Sequence, residues 1–214
     1  MGRLRLRIAI SLDGFVAGPR QSVQDPLGVG GMRLHEWAFA LEAFRRMHGL
    51  SGGEVNASTP VIEEAFANLG ATVMGRHMFG GQPGPWSLEK PWNGWWGNDP
   101  PFHHPVFVVT HHPREPLTLA GGTTFTFVTA GVEAALEQAR RAAGDKDVAL
   151  GGGAQTARRC LTAGLVDDME LSLVPVLLGS GERLFEGIGT DLHGLELTRT
   201  VAAPRVTHLK FARR

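Results

Sequence analysis

The chain of 214 residues carries 43% hydrophobic and 20% charged side chains, with 21 basic residues against 21 acidic. That balance excludes a disordered tail, a coiled coil, and the standing positive charge that a nucleic-acid clamp or membrane-surface binder needs. No apolar run approaches the ~20 residues of a bilayer span, and the lone Cys160 excludes a disulfide framework or multi-cysteine zinc site, so a cytoplasmic protein is expected.

Leu4, Leu6, Ile8 and Ile10 alternate with Arg3, Arg5 and Arg7, the period of a strand, which stops at the turn pair Asp13-Gly14. Residues 19–32 show no period and read as a loop. Leu34, Trp37, Ala38, Leu41 and Phe44 recur at helical spacing and predict one amphipathic helix over roughly 33–48. Thr59-Pro60 marks a second helix start, with Gly70 as its stop, followed by a buried strand at 71–74. Residues 80–104 are irregular and rich in Gly, Pro and Trp, holding four of the five tryptophans (Trp86, Trp92, Trp95, Trp96).

Pro105–Thr110 is a continuous apolar strand, as in a parallel sheet covered on both faces. Strand 125–129, helix 131–143, strand 148–150, helix 154–163 and strand 169–175 follow, with Gly144 and Gly164 as helix stops. Residues 195–201 and 206–211 read as a closing antiparallel hairpin. Such alternation predicts an α/β fold, a mostly parallel sheet with helices on both faces. We expect one domain over 1–214, with 80–104 as an insertion loop rather than a boundary.

Gly151-Gly152-Gly153 lies between a buried strand and a helix. Absent side chains let a phosphate approach the backbone there, and the helix start offers free N–H groups. A flexible turn is the plainer reading, but three glycines at a strand's carboxyl end favour an anion site. It matches neither G-x-G-x-x-G nor the P-loop pattern. Two more loops leave predicted strand ends: Gly75-Arg76-His77 and Thr110-His111-His112-Pro113-Arg114. In an open α/β sheet such ends line one crevice, where Arg76 and Arg114 are candidates to pair with phosphate.

The nine histidines show no H-E-x-x-H or helix-face cluster, so no metal is expected. Asp13 ends the first strand, where it either reaches substrate or serves the turn. Counting 100° per residue turns Glu36 away from Leu34 and Leu41, toward solvent. The tryptophans either anchor their long loop, wall a pocket, or form a subunit contact.

Ile10-Ser11-Leu12-Asp13-Gly14-Phe15-Val16-Ala17, Val73-Met74-Gly75-Arg76, Phe107-Val108-Val109-Thr110, Gly151-Gly152-Gly153, Asp167-Asp168-Met169-Glu170-Leu171 and Pro175–Gly181 occur in that order. The set resembles the dihydrofolate reductase-like superfamily, and within it the C-terminal reductase domain of the bifunctional riboflavin-biosynthesis deaminase–reductase and its stand-alone relatives. The resemblance implies a three-layer α/β/α sandwich whose mixed sheet binds NADPH across its carboxyl edge. By position it assigns the pyrophosphate turn to Gly151, Gly152, Gly153 and Ala154, with Gln155 and Thr156 following. Gly75 and Arg76 become a second phosphate contact. Thr110, His111 and His112 match the adenosine loop, with Arg114 beside it. Ala9 and Ile10 match the strand beside the nicotinamide.

The folate-reducing relatives carry an acid on the first helix. Here that helix offers His35-Glu36-Trp37, of which Trp37 is the candidate substrate contact. Asp13 is the candidate for orienting substrate or relaying a proton. The leading expectation is therefore an NADPH-dependent reductase of a small heterocyclic metabolite, with the pyrimidine intermediate of riboflavin synthesis first among substrates. Dihydrofolate reductase-type activity and a non-catalytic NADPH-binding module are the alternatives. A homodimer is expected, as the resemblance implies.

Overall fold

The computed structural model describes residues 2–87, 89 and 91–213. The first half of the chain forms β1 (Leu4–Ser11), β2 (Phe15–Ala17), α1 (Glu36–Phe39), α2 (Glu42–Met47), α3 (Thr59–Phe66), β3 (Leu69–Gly75) and α4 (Arg76–Phe79). After the Trp-rich strap of 80–104 come β4 (Pro105–Val109), β5 (Leu117–Thr118), β6 (Thr124–Val128), α5 (Val132–Ala143), β7 (Asp147–Gly152) and α6 (Ala154–Thr162). The chain closes with β8 (Asp168–Val174), β9 (Glu182–Arg183), β10 (Leu195–Ala203) and β11 (Val206–Arg213).

The main sheet has nine strands in the order β10-β11-β8-β1-β7-β3-β4-β6-β5. From β8 to β6 all neighbours are parallel, while β11 pairs antiparallel with β8, β10 with β11, and β5 with β6. β2 and β9 pair separately. The mostly parallel α/β sandwich with its closing hairpin is therefore the observed architecture.

Burial follows the two-residue period of the strands. Leu4, Leu6 and Ile10 of β1, with Val148 and Leu150 of β7, pack under α5 and α6. Those helices present Val132, Ala135, Leu136 and Ala139, and Ala157, Cys160 and Leu161, at helical spacing. On the other face Ala9 packs with Trp37, Ala38 and Leu41 beneath α1–α3. Further along that face, Met74, Val106, Val108 and Phe125 receive the tryptophans of the strap. Trp86 Nε1 donates to the His112 carbonyl at 2.8 Å and Trp92 Nε1 to that of Phe79 at 2.8 Å. Loop anchoring is thus what these two indoles do.

Two expected helices differ. The periodic stretch 33–48 breaks into a 3-10 turn at Gly31–Leu34, then α1 and α2. The break falls at Leu41, whose backbone is extended and bridges Glu54. Glu54 N–H donates to the Ala40 carbonyl at 2.7 Å and Glu42 N–H to that of Glu54 at 2.9 Å, so a non-local pairing overrides the helical period. The second helix stops at Phe66, short of Gly70. Arg5, buried on the sheet, takes the carbonyls of Glu64 (2.6 Å) and Ala67 (2.9 Å), and Asn68 turns the chain with φ 59°. Gly70 belongs to β3, where a Cβ would lie 2.8 Å from Ala143 Cα. Close strand–helix packing, not a helix stop, requires that glycine.

Candidate functional site

A cleft of about 1900 Å³ runs along the face opposite α5 and α6, from the lobe between α1–α2 and α3 to the carboxyl ends of β3, β4 and β7. Gly75, Arg76, Thr110, His111 and His112 line it, as do Gly151, Gly152, Gly153, Ala154, Gln155 and Thr156. The three loops singled out from the sequence therefore meet in one crevice.

The glycine turn is shaped for close approach. Gly152 has φ +116°, a conformation that L side chains rarely adopt, and a Cβ at Gly153 would find only His77 Cβ, at 4.0 Å. Gly153 precedes α6, whose first amides have no partner within the helix. Open space in front of free N–H groups at a helix start fits a phosphate. Gly75 serves a different purpose: a Cβ there would collide with Thr156 Oγ1, so it lets β3 and α6 meet beside the turn. Thr110 is buried, and its Oγ1 accepts from the His112 amide at 3.2 Å, which sets the shape of the third loop.

The arginines hold the strap. Arg76 lies on the Trp86 ring with its guanidinium carbon 3.3 Å from the centroid and donates to the carbonyls of Gly80 and Gln82. Arg114 stands 5.0 Å from the rings of Trp86 and Phe127 and donates to the Trp92 carbonyl and Asn93 Oδ1. Burial, and then the neighbouring Arg114 charge, lower the Arg76 pKa to about 10. Arg76 still lines the cleft, whereas Arg114 lies outside that lining. The strap's carbonyls and rings have claimed it.

Two other candidates, Ile10 and Asp13, lie outside the cleft lining. The side chain of Ile10 points into the core under α5 and α6, because a neighbouring residue to Ala9 on a strand faces the opposite way. Ala9 lines the cleft. Asp13 is also outside the lining. Its carboxylate accepts from Ser11 Oγ at 2.6 Å and from the amides of Gly179 (2.7 Å) and Leu178 (3.2 Å). The Ser11 hydroxyl, with those amides, holds its pKa at about 2. A saturated carboxylate of that strength is a poor proton donor near neutrality, so Asp13 braces two loops instead.

Trp37 does line the cleft, its indole nitrogen fixed by the Leu34 carbonyl at 2.9 Å. It meets His208 edge-on at 4.9 Å. Glu36 is exposed and lies outside the cleft lining. The acid facing this lobe comes from the sheet. Arg7 Nη1 donates to Glu170 Oε2 at 2.8 Å, and Arg199 approaches the same carboxylate at 3.2 Å. Beside Glu170 in the lining is Ser172, 3.1 Å from His208 Nδ1, while His208 Nε2 is 2.8 Å from Ser58 Oγ. Burial, then Arg199 and Arg7, push the His208 pKa down to about 4, leaving it neutral.

In sequence, Arg7 and Ser172 look like the ordinary polar sides of two strands, and Glu170 stands out only as part of the Asp167–Leu171 pattern. The available signal was that both strands had to be covered on two faces, so their charges had to meet. The register sets Arg7 directly beside Glu170.

A mostly parallel sheet with a glycine-rich turn at its carboxyl edge, opening into a second lobe over β1 and β8, defines the class: an α/β protein of the dihydrofolate reductase-like fold. The model of the RibD C-terminal domain matches residues 3–209, and the chain belongs to that family. Among solved structures it is similar to a putative riboflavin biosynthesis protein from Shewanella sp. PV-4, with 20% identity, TM-score 0.61 and 99% of each chain covered. It is also similar to dihydrofolate reductase from Enterococcus faecalis, complexed with NADP(H), at 13% identity and TM-score 0.53, over 100% of this chain and 97% of that one. A third is the diaminohydroxyphosphoribosylaminopyrimidine deaminase/5-amino-6-(5-phosphoribosylamino)uracil reductase of Thermotoga maritima, at 14% identity and TM-score 0.56, covering 100% of this chain and 57% of that one. No curated protein matches the sequence. Membership places the chain among reductase domains of the riboflavin-pathway type. Among the described residues, no helix is long and apolar enough to cross a membrane.

Proposed function

We propose that the protein is an NADPH-dependent reductase acting on a C=N or C=O bond of a small heterocyclic metabolite. The observation that carries this reading is the glycine turn, with Gly152 at φ +116° and open space at Gly153, facing the Thr110–His112 loop across one cleft. In that reading the amides at the start of α6 hold the pyrophosphate. The exposed Arg159, which also lines the cleft, with His111 and His112 takes the further phosphate in place of Arg114. Ala9, small and flat on the cleft floor, leaves room for the nicotinamide ring. When bound, that ring supplies the hydride.

The chain's own part is to orient the acceptor over β1 and to keep water from it, with Trp37 closing the lobe from α1. Ser172, held by His208, offers a hydroxyl to the acceptor's polar edge. The family's pyrimidine is the first acceptor to try. Thermal melts with NADPH, NADH and neither test the cofactor, and NADPH consumption across pyrimidine, pterin and carbonyl acceptors tests the chemistry. A rise in melting temperature with NADPH is expected; none at millimolar NADPH overturns the proposal.

A further inference from the structure

His208 of β11 lies fully buried between two buried hydroxyls, and the three groups together decide which way one hydroxyl points. Ser172 Oγ is 3.1 Å from its Nδ1 and Ser58 Oγ 2.8 Å from its Nε2. The strand register sets His208 directly beside Ser172, while Ser58 precedes α3, 150 residues away. A serine before a helix ordinarily gives its oxygen to the first amides of that helix. Ser58 makes no such cap, and its hydroxyl turns to His208 instead.

The hydrogens available fix the tautomer of the ring. Burial, with the Arg199 and Arg7 charges nearby, keeps the imidazole neutral, so it carries one N–H for two neighbours. Ser58 is 1% exposed, and among the described residues its hydroxyl has no hydrogen-bond partner but His208. With the proton on Nε2, Ser58 would accept it, and the hydrogen of Ser58 would be buried without an acceptor, which is unfavourable. With the proton on Nδ1, Ser58 donates to Nε2 and Nδ1 donates to Ser172 Oγ, so each buried hydrogen has an acceptor. One hydrogen remains, that of Ser172, and Ser172 lines the cleft.

Its place in the cleft matters. Ser172 pairs with Ala9 across β8 and β1, so the two stand side by side on one face of the sheet. Glu170, two residues earlier on that face, has its carboxylate taken by Arg7 and Arg199. A group lying over Ala9 therefore meets a neutral donor at its side.

We propose that Ser172 donates a hydrogen bond to the heteroatom of the acceptor's C=N or C=O bond, that His208 is the positioning residue that aims it, and that Ser58 sets the tautomer. The proposal rests on the reductase reading for what the hydroxyl meets, but not for its direction. As hydride reaches the carbon of that bond, the electron pair moves onto the heteroatom, and a donor already aimed there stabilises the charge without reorganising. Ser172 keeps its hydrogen throughout, because buried Ser58 has no route to solvent that would refill the chain. The reduced heteroatom takes its proton from water when the product leaves the cleft.

The direction of the hydroxyl is read without any ligand, by nitrogen NMR of the His208 ring in the isotope-labelled whole chain at pH 7. The ring signals are assigned by through-bond correlation to the His208 backbone. Nδ1 should carry the proton and Nε2 none. A ring protonated on Nε2, or on both nitrogens, overturns the proposal.

The use of the hydroxyl is read with the acceptor that consumes NADPH fastest among the pyrimidines, pterins and carbonyl compounds. Ser172→Ala should lower kcat roughly ten-fold or more while KM changes by less than about three-fold, since the bond strengthens only as charge develops. Ser172→Thr, which keeps the hydroxyl, should recover most of that loss. A kcat for Ser172→Ala within about three-fold of the unmodified chain overturns the donor role. If no acceptor consumes NADPH, the reductase reading falls and the donor role with it, while the ring tautomer still decides where the hydroxyl points.

Discussion

Asp13 and Gly179 are joined by a 2.7 Å hydrogen bond from the Gly179 amide to the Asp13 carboxylate. With the Leu178 amide and the Ser11 hydroxyl, it locks the loop leaving β1 to the loop leaving β8. Arg183 Nη1 adds a bond to the Asp13 carbonyl at 3.1 Å. These two loops border the small β2–β9 sheet, so the bond fixes one end of the cleft's frame.

Replacing Asp13 by Asn should therefore lower the melting temperature and speed amide exchange at Leu178 and Gly179. It should leave the pH profile of any reduction unchanged in shape near neutrality. The native carboxyl titrates at about 2 against an ordinary 3.8, so its stabilisation is complete above about pH 4 and is lost as pH falls toward 2. The Asn variant should lack that part of the acid transition. Melts at pH 7 and pH 3 check it.

Gly152 should tolerate no side chain. At φ +116° an alanine incurs backbone strain of roughly 1–3 kcal/mol. Gly152→Ala should also abolish the NADPH-induced rise in melting temperature, because the turn that exposes the α6 amides is displaced. A full NADPH shift in this variant would show that the turn does not hold the cofactor.

Trp86 should be the pin of the strap. It stacks on Arg76, meets Phe79 at 5.7 Å and Phe127 at 4.9 Å, and donates to His112. Trp86→Ala should cost roughly 2–4 kcal/mol, at or below the range for a buried aromatic because the indole is partly exposed. Limited proteolysis should then cut within 80–104. Arg76→Lys, which keeps the charge but loses the planar stack, should give the same cleavage pattern more weakly.

His208 should make stability pH-dependent. It is fully buried between Ser58 and Ser172 and titrates near 4 rather than 6.5. The unfolded chain takes up that proton first, so stability is complete above about pH 6.5 and is lost as pH falls toward 4, by about 2–3 kcal/mol. His208→Gln should be less stable at pH 7 yet flatter in this window, as denaturant midpoints across pH 4–7 would show.

Much of the fold was legible. β1, β4, β6, β7 and β8 announce themselves by apolar runs or strict alternation, and Gly144 and Gly164 stop α5 and α6 with φ 61° and 62°. The glycine turn at the end of β7 was legible for a related reason: glycines at a strand end have little to do but turn or admit a ligand. The helices over the β1–β8 lobe were not, because Leu41 obeys its pairing with Glu54 rather than its helical period.

What the sequence by itself determined is the set of properties that depend on near neighbours: strand period, helix faces, and the loops that carry glycine and arginine. Only the tertiary structure decided which charges meet. Arg76 and Arg114 look alike in sequence and both hold the strap, yet only Arg76 also lines the cleft. Arg7 and Glu170 lie 163 residues apart and become partners because β1 and β8 pair in register. A side chain's role is set by the groups within a few ångströms of it, and for charges on a sheet covered on both faces those groups come from distant segments.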